Sequence, residues 1–325
     1  MSQAPTHLGS AEQLGAVRRW LVLVLVSLAF LMVELDITIV NVALPTIQRE
    51  LGFSESDLQW VVNAYLLLFG GFVLLAGRAA DLFGRKPMFM AGIAVFGLGS
   101  AISAVAPSAA PLVIGRALQG LGGAALAPTG LSLLTTTFTE PRERTRALGV
   151  WTFILTGSVA IGLTLGGAIT DILSWRWIFL INIPVVVLLL IAAPRLLPRS
   201  AEAAGHGFDV AGALLSTAGP ALLVYALANV PAWGWNSGRT IVLLVAGAGV
   251  LASLGVVERH VQSPLIRLQI FRVRSVTVGT NISYCASCSR VSGCLHFGWG
   301  NCAGHSSVPM APWWLVAPTF SMSSA

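Results

Sequence analysis

Residues 20–44 read WLVLVLVSLAFLMVELDITIVNVAL, and residues 21–29 of that stretch are apolar on every face except for Ser27. A barrel strand alternates apolar and polar side chains over about ten positions, and no such alternation exists here. The hydrocarbon core of a bilayer is about 30 Å thick, which at 1.5 Å per residue takes roughly 20 helical residues to cross. Lipid offers no hydrogen bonds, so a long stretch that is apolar all round must bond its own backbone as a helix. Arg18 and Arg19 precede it as they would in a signal peptide. The apolar run nevertheless exceeds the roughly 7–15 residues of a signal core and ends without a small-x-small cleavage site. It reads as a membrane-anchoring first span.

The rest of the chain repeats this character. Hydrophobic residues make up 55% of the 325 and charged residues 10%, whereas soluble domains carry about 25% charge. Two soluble domains of this length could not coat their surfaces. Seven further stretches are long and apolar enough to cross, at residues 58–80, 88–106, 112–138, 147–172, 178–197, 210–230 and 240–257. The expected fold is therefore an all-α integral membrane protein, a six-helix set followed by two additional transmembrane helices.

The net charge of +6 invites a nucleic-acid reading, but the placement of the cations argues otherwise. With the N-terminus in the cytoplasm, the inside segments hold Arg18, Arg19, Arg78, Arg85, Lys86, Arg142, Arg144, Arg146, Arg195, Arg199, Arg259, Arg267, Arg272 and Arg274. The outside segments hold Arg49, Arg176 and Arg239, with Arg116 inside a helix and Arg290 in the tail. Cations that accumulate on one side of every span set orientation and meet anionic lipid. The expected partner is the lipid bilayer of an inner or plasma membrane, and no nucleic acid.

The organisation expected is a cytoplasmic segment at 1–19, a six-helix set at 20–197 whose longest outside loop is 45–57, a polar cytoplasmic linker at 198–209, a helix pair at 210–257 and a basic cytoplasmic segment at 258–274. From 275 to 325 the character changes. No acid follows Glu258, and Cys285, Cys288, Cys294 and Cys302 all lie in this tail, which has no run long enough to span. The tail reads as out-of-frame translation or disorder. A metal site there would need a zinc spacing that these cysteines do not provide.

Within the six-helix set the informative residues are those that lipid penalises. Glu34 and Asp36 lie midway along the first span, where each acid costs about 2.5–3.5 kcal/mol on insertion scales and must face a bundle interior or water. Two positions along a helix turn through about 200°, so the two acids cannot share a face. They either pair with a cation or form part of a proton relay. Asn41 and Pro45 extend this polar, kinkable character toward the outside. Arg116 is the only cation deep in a helix; it cannot deprotonate, and serves as counter-ion to Asp36 or Glu34, as a substrate contact, or as both. Gln119 and Gly120 follow it, and Gly122, Gly123, Ala124 and Ala125 smooth one side of that helix for close approach. Ser158, Gly162, Gly166 and Thr170 recur at a spacing of four, with Gly157 and Gly167 beside them, as a small-residue packing stripe. On that basis leucine at Gly162 or Gly166 is expected to do far more harm than at Gly97. The short inside loop GRAADLFGRKP (residues 77–87) places a tight turn at Gly84, and its Asp81, Arg85 and Lys86 can pair with one another or cap a helix end. No nucleophile motif, phosphate loop or metal spacing supports an enzyme.

These residues carry a family resemblance. The loop from Gly77 through Asp81, Gly84, Arg85 and Lys86 resembles the signature loop between helices two and three of the major facilitator superfamily. LDITIVNVALP (residues 35–45) resembles the first-helix motif of its drug/proton antiporters, and RALQGLGGA (residues 116–124) the fourth-helix motif whose arginine is implicated in proton coupling. GSVAIGLTLGG (residues 157–167), with Gly157, Gly162, Gly166 and Gly167, is similar to the fifth-helix antiporter motif. WRWIFLINIP (residues 175–184) resembles the start of helix six in the fourteen-helix EmrB/QacA-type branch, as does the helix pair after residue 209. The resemblance implies a secondary transporter that rocks two six-helix halves around a midplane site. It would export lipophilic, often cationic, small molecules in exchange for protons, with Asp36, Glu34, Asn41 and Arg116 at the coupling and substrate site. No cofactor is implied, since the proton gradient supplies the energy.

Three departures qualify this. Leu163 follows Gly162 where the motif has proline, Glu34 stands where the family more often has an apolar residue, and the family would place about six more helices after residue 275. The missing half, or an unknown oligomer partner, would have to complete the cavity. As it stands, the chain is expected to be a non-transporting fragment unless such a partner joins it. Uptake of a metabolite within the same superfamily is the alternative transport reading. Asp36→Asn is expected to remove titration and nothing else.

Overall fold

The computed structural model describes residues 15–198 and 210–257, and every regular element among them is an α-helix. The rest of the 198–209 linker, the basic segment at 258–274 and the tail with its four cysteines lie outside the described residues. In chain order the helices are α1 (Ala16–Leu51), α2 (Glu55–Phe83), α3 (Arg85–Ala104), α4 (Ala109–Thr137), α5 (Pro141–Ile172), α6 (Arg176–Leu180), α7 (Asn182–Leu196), α8 (Val210–Trp233) and α9 (Gly238–Val257). Six spans among the described residues are long and apolar enough to cross a membrane: α1 to α5, and α6 with α7 taken together. In the later pair, Thr217–Val230 and Gly238–Ser253 are shorter apolar helices.

The helices overrun the apolar windows, and three expected loops shrink. The outside loop at 45–57 is mostly helix. α1 carries Pro45 within it and continues because Ile47 is fully buried on the core side. It stops at Gly52, whose φ of 66° lets its own N–H and that of Phe53 donate to the Gln48 carbonyl at 3.0 and 3.2 Å. Ser54 then opens α2, its hydroxyl accepting the Asp57 N–H at 3.1 Å. Of the expected inside loop at 77–87, only Gly84 lies outside a helix, turning at φ 95°. Arg142, Arg144 and Arg146 occupy the first turns of α5, with Pro141 at the start where its missing N–H is harmless. Conversely, the single helix expected at 178–197 breaks at Ile181. Pro184 has no N–H to give the Leu180 carbonyl, so a new helix begins at Asn182.

Glycine sets the packing distances. A Cβ added at Gly99 would lie 2.6 Å from the Gly115 carbonyl oxygen, and one at Gly122 would lie 2.5 Å from the Phe96 nitrogen. The α3–α4 backbones therefore touch, as those of α4 and α2 do where Gly120 meets Tyr65; the sequence reading marked the smooth side of α4 but not its partners. The α5 stripe is a packing face at Gly162 and Gly166, and its partner, which the spacing did not name, is α1: a Cβ at Gly162 would stand 2.8 Å from Thr38 Cβ, and one at Gly166 3.2 Å from Val42 Cβ. Two corrections follow. Gly157 and Gly167 meet nothing within 4 Å and stand outside the seam, whereas a Cβ at Gly97 would come within 2.5 Å of Val186 Cγ1 on α7. Gly97 is thus no permissive control. It lies under α7, a neighbour that periodicity within α3 could not reveal. α8 lies against α2, with Ala221 Cβ 3.2 Å from a Cβ placed at Gly71 and the Trp60 and Tyr225 rings 6.0 Å apart.

Candidate functional site

Five helices converge on one buried charged cluster. Asp36 of α1 and Arg116 of α4 are 2% and 1% exposed and form a direct ion pair between Asp36 Oδ2 and Arg116 Nη1. Arg116 is also held by α2 and by a residue of its own helix. Its Nε donates to the Val61 carbonyl of α2 at 3.0 Å and its Nη1 to Gln119 Oε1 at 2.9 Å, and the guanidinium lies 4.6 Å over the Tyr65 ring. The other carboxylate oxygen of Asp36, Oδ1, accepts from Gln119 Nε2 at 2.8 Å and from Asn182 Nδ2 of α7 at 3.0 Å. Both amides also donate to Ser100 Oγ of α3, at 2.8 and 3.3 Å. A buried charge is tolerable when paired and hydrogen-bonded, and the cluster supplies the pair together with partners for both Asp36 oxygens and for Arg116 Nε and Nη1. The glycines bring the chains near enough to do so: Gly120 lets α2 press against α4, and Gly99 and Gly115 let α3 carry Ser100 up to Gln119.

Of the two acids, it is Asp36 and not Glu34 that pairs with Arg116. Glu34 and Asn41 are not drawn in. Glu34 is half-buried on another side of α1, and Asn41, seven residues on and therefore on the same face, is exposed with its Nδ2 bonded to the Ile37 carbonyl at 2.8 Å. The two acids do face different ways, as their spacing requires.

The Gly77–Lys86 motif lies apart from this cluster. Gly77 packs on Pro128 of α4, Asp81 is exposed, and Lys86 Nζ donates to the Pro194 and Leu197 carbonyls at 2.7 and 3.1 Å, closing the end of α7. Arg18 does the same for the Arg195 and Leu196 carbonyls at 3.1 and 3.3 Å, and Arg19 pairs with Glu143 at 2.8 Å. At the opposite end of α1, Glu50 accepts from Trp175 Nε1 at 2.8 Å and from Arg176 at 3.3 Å, while Arg176 also donates to the Ala106 carbonyl at 3.2 Å.

Ser100, Asn182 and Tyr65 escaped the sequence reading as site residues. Asn182 was findable. It stands alone between Ile181 and Ile183 in an apolar run, and the argument from lipid cost that singled out Asp36 applies to it as well. Ser100 and Tyr65 carried no such signal, because a hydroxyl is ordinary in a span.

Known proteins resemble this chain in sequence and fold. The Major Facilitator Superfamily profile matches residues 26–288. The puromycin resistance protein pur8 of Streptomyces alboniger is 46% identical over 250 residues, covering 77% of this chain and 49% of the relative. The cephamycin export protein CmcT of Amycolatopsis lactamdurans is 40% identical over 272 residues, 83% of this chain and 56% of the relative. The multidrug resistance protein Stp of Mycobacterium tuberculosis is 40% identical over 252 residues, covering 78% and 47%. The chain spans about half the length of these curated relatives. Among solved structures, the proton:xylose symporter XylE superposes at a TM-score of 0.52 with 15% identity, over 81% of this chain and 58% of XylE, a likeness of fold alone.

Proposed function

This chain belongs to the major facilitator superfamily, and from that premise we propose that it serves proton-coupled export of lipophilic, often cationic, small molecules across the plasma membrane. The observation that carries the reading is the buried Asp36–Arg116 pair. A carboxylate locked to a cation inside a span is neutral as a pair, and a proton arriving on Asp36 dissolves that neutrality. Arg116 keeps its hold on Val61 and Tyr65 of α2, so the proton loosens α1 from the rest of the cluster. Exchange of proton for substrate then requires only that each lowers the affinity for the other. The resistance and export names of the relatives support drugs as the substrate class, and the half-exposed Glu34 and exposed Asn41 on one face of α1 suit a polar contact in an otherwise apolar cavity.

On this reading the chain is of the fourteen-helix branch, a reading the α8–α9 pair supports, the Arg18 end faces the cytoplasm, and a second six-helix half, or a second copy, completes the cavity. Uptake of a metabolite is the second reading. It is favoured by the unbroken course of α5 through Gly162 and Leu163, where a proline would mark the antiporter motif. The test reconstitutes the protein in proteoliposomes, imposes a proton gradient and follows a fluorescent cationic dye. Dye movement against the proton flow and its loss in Asp36→Asn are expected. Movement in the same direction as protons would favour uptake, and movement indifferent to the gradient would refute proton coupling.

A further inference from the structure

Asn182 and Gln119 both give an amide N–H to Asp36 Oδ1, yet they are not equivalent. The Gln119 carboxamide is fixed in direction, because its Oε1 takes Arg116 Nη1 at 2.9 Å while its Nε2 serves Asp36 and Ser100. Turning it over would set its NH2 against the guanidinium, donor against donor. Among the described bonds, Asn182 has no such tie; both of its contacts run through Nδ2. It also begins α7, directly after the break at Ile181.

A carboxamide can act either as donor or as acceptor. We propose that Asn182 is a positioning residue that reverses with the charge of Asp36. With the carboxylate ionised, Nδ2–H donates to Asp36 Oδ1. When a proton from water binds that oxygen, the amide turns over and its carbonyl oxygen accepts the new O–H. No other covalent bond is made or broken, and each charge state keeps a buried partner from α7. The reversal withdraws the Nδ2–H from Ser100 and carries the event to the α6–α7 junction. The start of α6, one short helix earlier, is fastened to the far end of α1 through Trp175, Arg176 and Glu50. The other ionisable groups around Asp36 are Arg116 from α4, the Tyr65 phenol from α2 and Glu34 on α1 itself; α3 and α7 bring the neutral Ser100 and Asn182. This proposal deepens the proton-site reading above and rests on Asp36 taking a proton, though not on any substrate being moved.

Infrared difference spectroscopy of the purified full chain in lipid, titrated with acid, tests it without a transported ligand. The carboxyl C=O band lost in Asp36→Asn identifies Asp36. In Asn182→Leu, which matches the side chain in size without donor or acceptor, this band should move to higher frequency, because the protonated acid has lost its acceptor. The pH at which the band appears should also rise by about one unit, since the charge-assisted bond lost is the stronger of the two. Asn182→Gln should restore both properties and serves as the variant for which misfolding is no explanation. A band unmoved in Asn182→Leu, with or without a change in its pH of appearance, would overturn the reversal, since Asn182 would then contact only the charged form. Loss of dye transport with the infrared shifts intact would sink the export reading and leave this one standing.

Discussion

Arg116 is the residue on which the cluster depends, because its charge cannot be removed by pH and its burial is nearly complete. That alters what a substitution at Asp36 means. Asp36→Asn was expected from sequence to remove titration alone, but it also strips a buried guanidinium of its counter-ion, a loss worth about 3–5 kcal/mol where such pairs have been broken. The variant should therefore lose gradient-driven dye transport and also melt at a lower temperature in detergent. Adding Arg116→Gln removes the orphaned charge, so the Asp36→Asn/Arg116→Gln pair should melt above either single variant while transport stays lost. A double variant no more stable than the singles would mean that the two side chains are not energetically coupled. Glu34→Gln, on a half-exposed face and outside the pair, should leave melting unchanged and reduce transport only mildly. The lipid cost of charge made Asp36 and Arg116 legible one by one. Their partnership was not, since they lie 80 residues apart in the chain and Glu34 competed from two positions away. Deciding which acid faces α4 needs the neighbouring helices.

Among the helices, the same ambiguity governs the glycines. A spacing of four shows that a stripe exists but not whether anything lies against it, and so Gly157 and Gly167 were grouped with Gly162 and Gly166 although they meet open space. The α3–α4 seam was legible on one side only: the smooth side of α4 with Gly122 was marked, but Gly92 and Gly99 of α3 form a contact with it only when the helices are docked. Alanine is a mild probe of the difference. At Gly115 the new methyl would collide with Ser103 Oγ and stand 2.8 Å from the Gly99 carbonyl oxygen, an overpacking that costs about 1–3 kcal/mol. At Gly157 the methyl is unopposed, and alanine favours helix over glycine by up to about 1 kcal/mol. Gly115→Ala should accordingly yield less folded protein and a lower melting temperature than Gly157→Ala, which should match or exceed the parent. Equal thermal denaturation of the two would remove the seam from the account. The cations follow a helical logic of their own. Arg18, Lys86 and Arg144 start α1, α3 and α5, and reach across to the terminal carbonyls of α7, α7 and α4, meeting the negative ends of neighbouring dipoles.

Across the whole molecule, hydropathy located each apolar stretch, yet placed the helix ends several residues short. Lipid thickness governs the apolar window alone, whereas caps such as Gly52 and Ser54 and polar first turns such as 141–146 govern where a helix stops. Orientation, by contrast, rests on charge gathered at the two ends, and the fold makes that distribution concrete. Lys86, Arg142, Arg144 and Arg146 lie with Arg18 and Arg19 at one end, joined by the Arg19–Glu143 pair and the Lys86 and Arg18 bonds to the close of α7. Glu50 and Arg176 mark the other. Trp60, near the start of α2, meets Tyr225 of α8, and Gly71, a few turns on, meets Ala221, so α8 runs antiparallel to α2 and its close at Trp233 lies on the Glu50 side. Cations are retained on the cytoplasmic side during insertion, so the orientation proposed for this chain would put the exposed Thr145 inside and the exposed Asn236 outside. In a chain freed of its own cysteines, Asn236→Cys should react in intact cells with a membrane-impermeant thiol reagent. Thr145→Cys should react only once the membrane is permeabilised. The reverse pattern would overturn the proposed orientation.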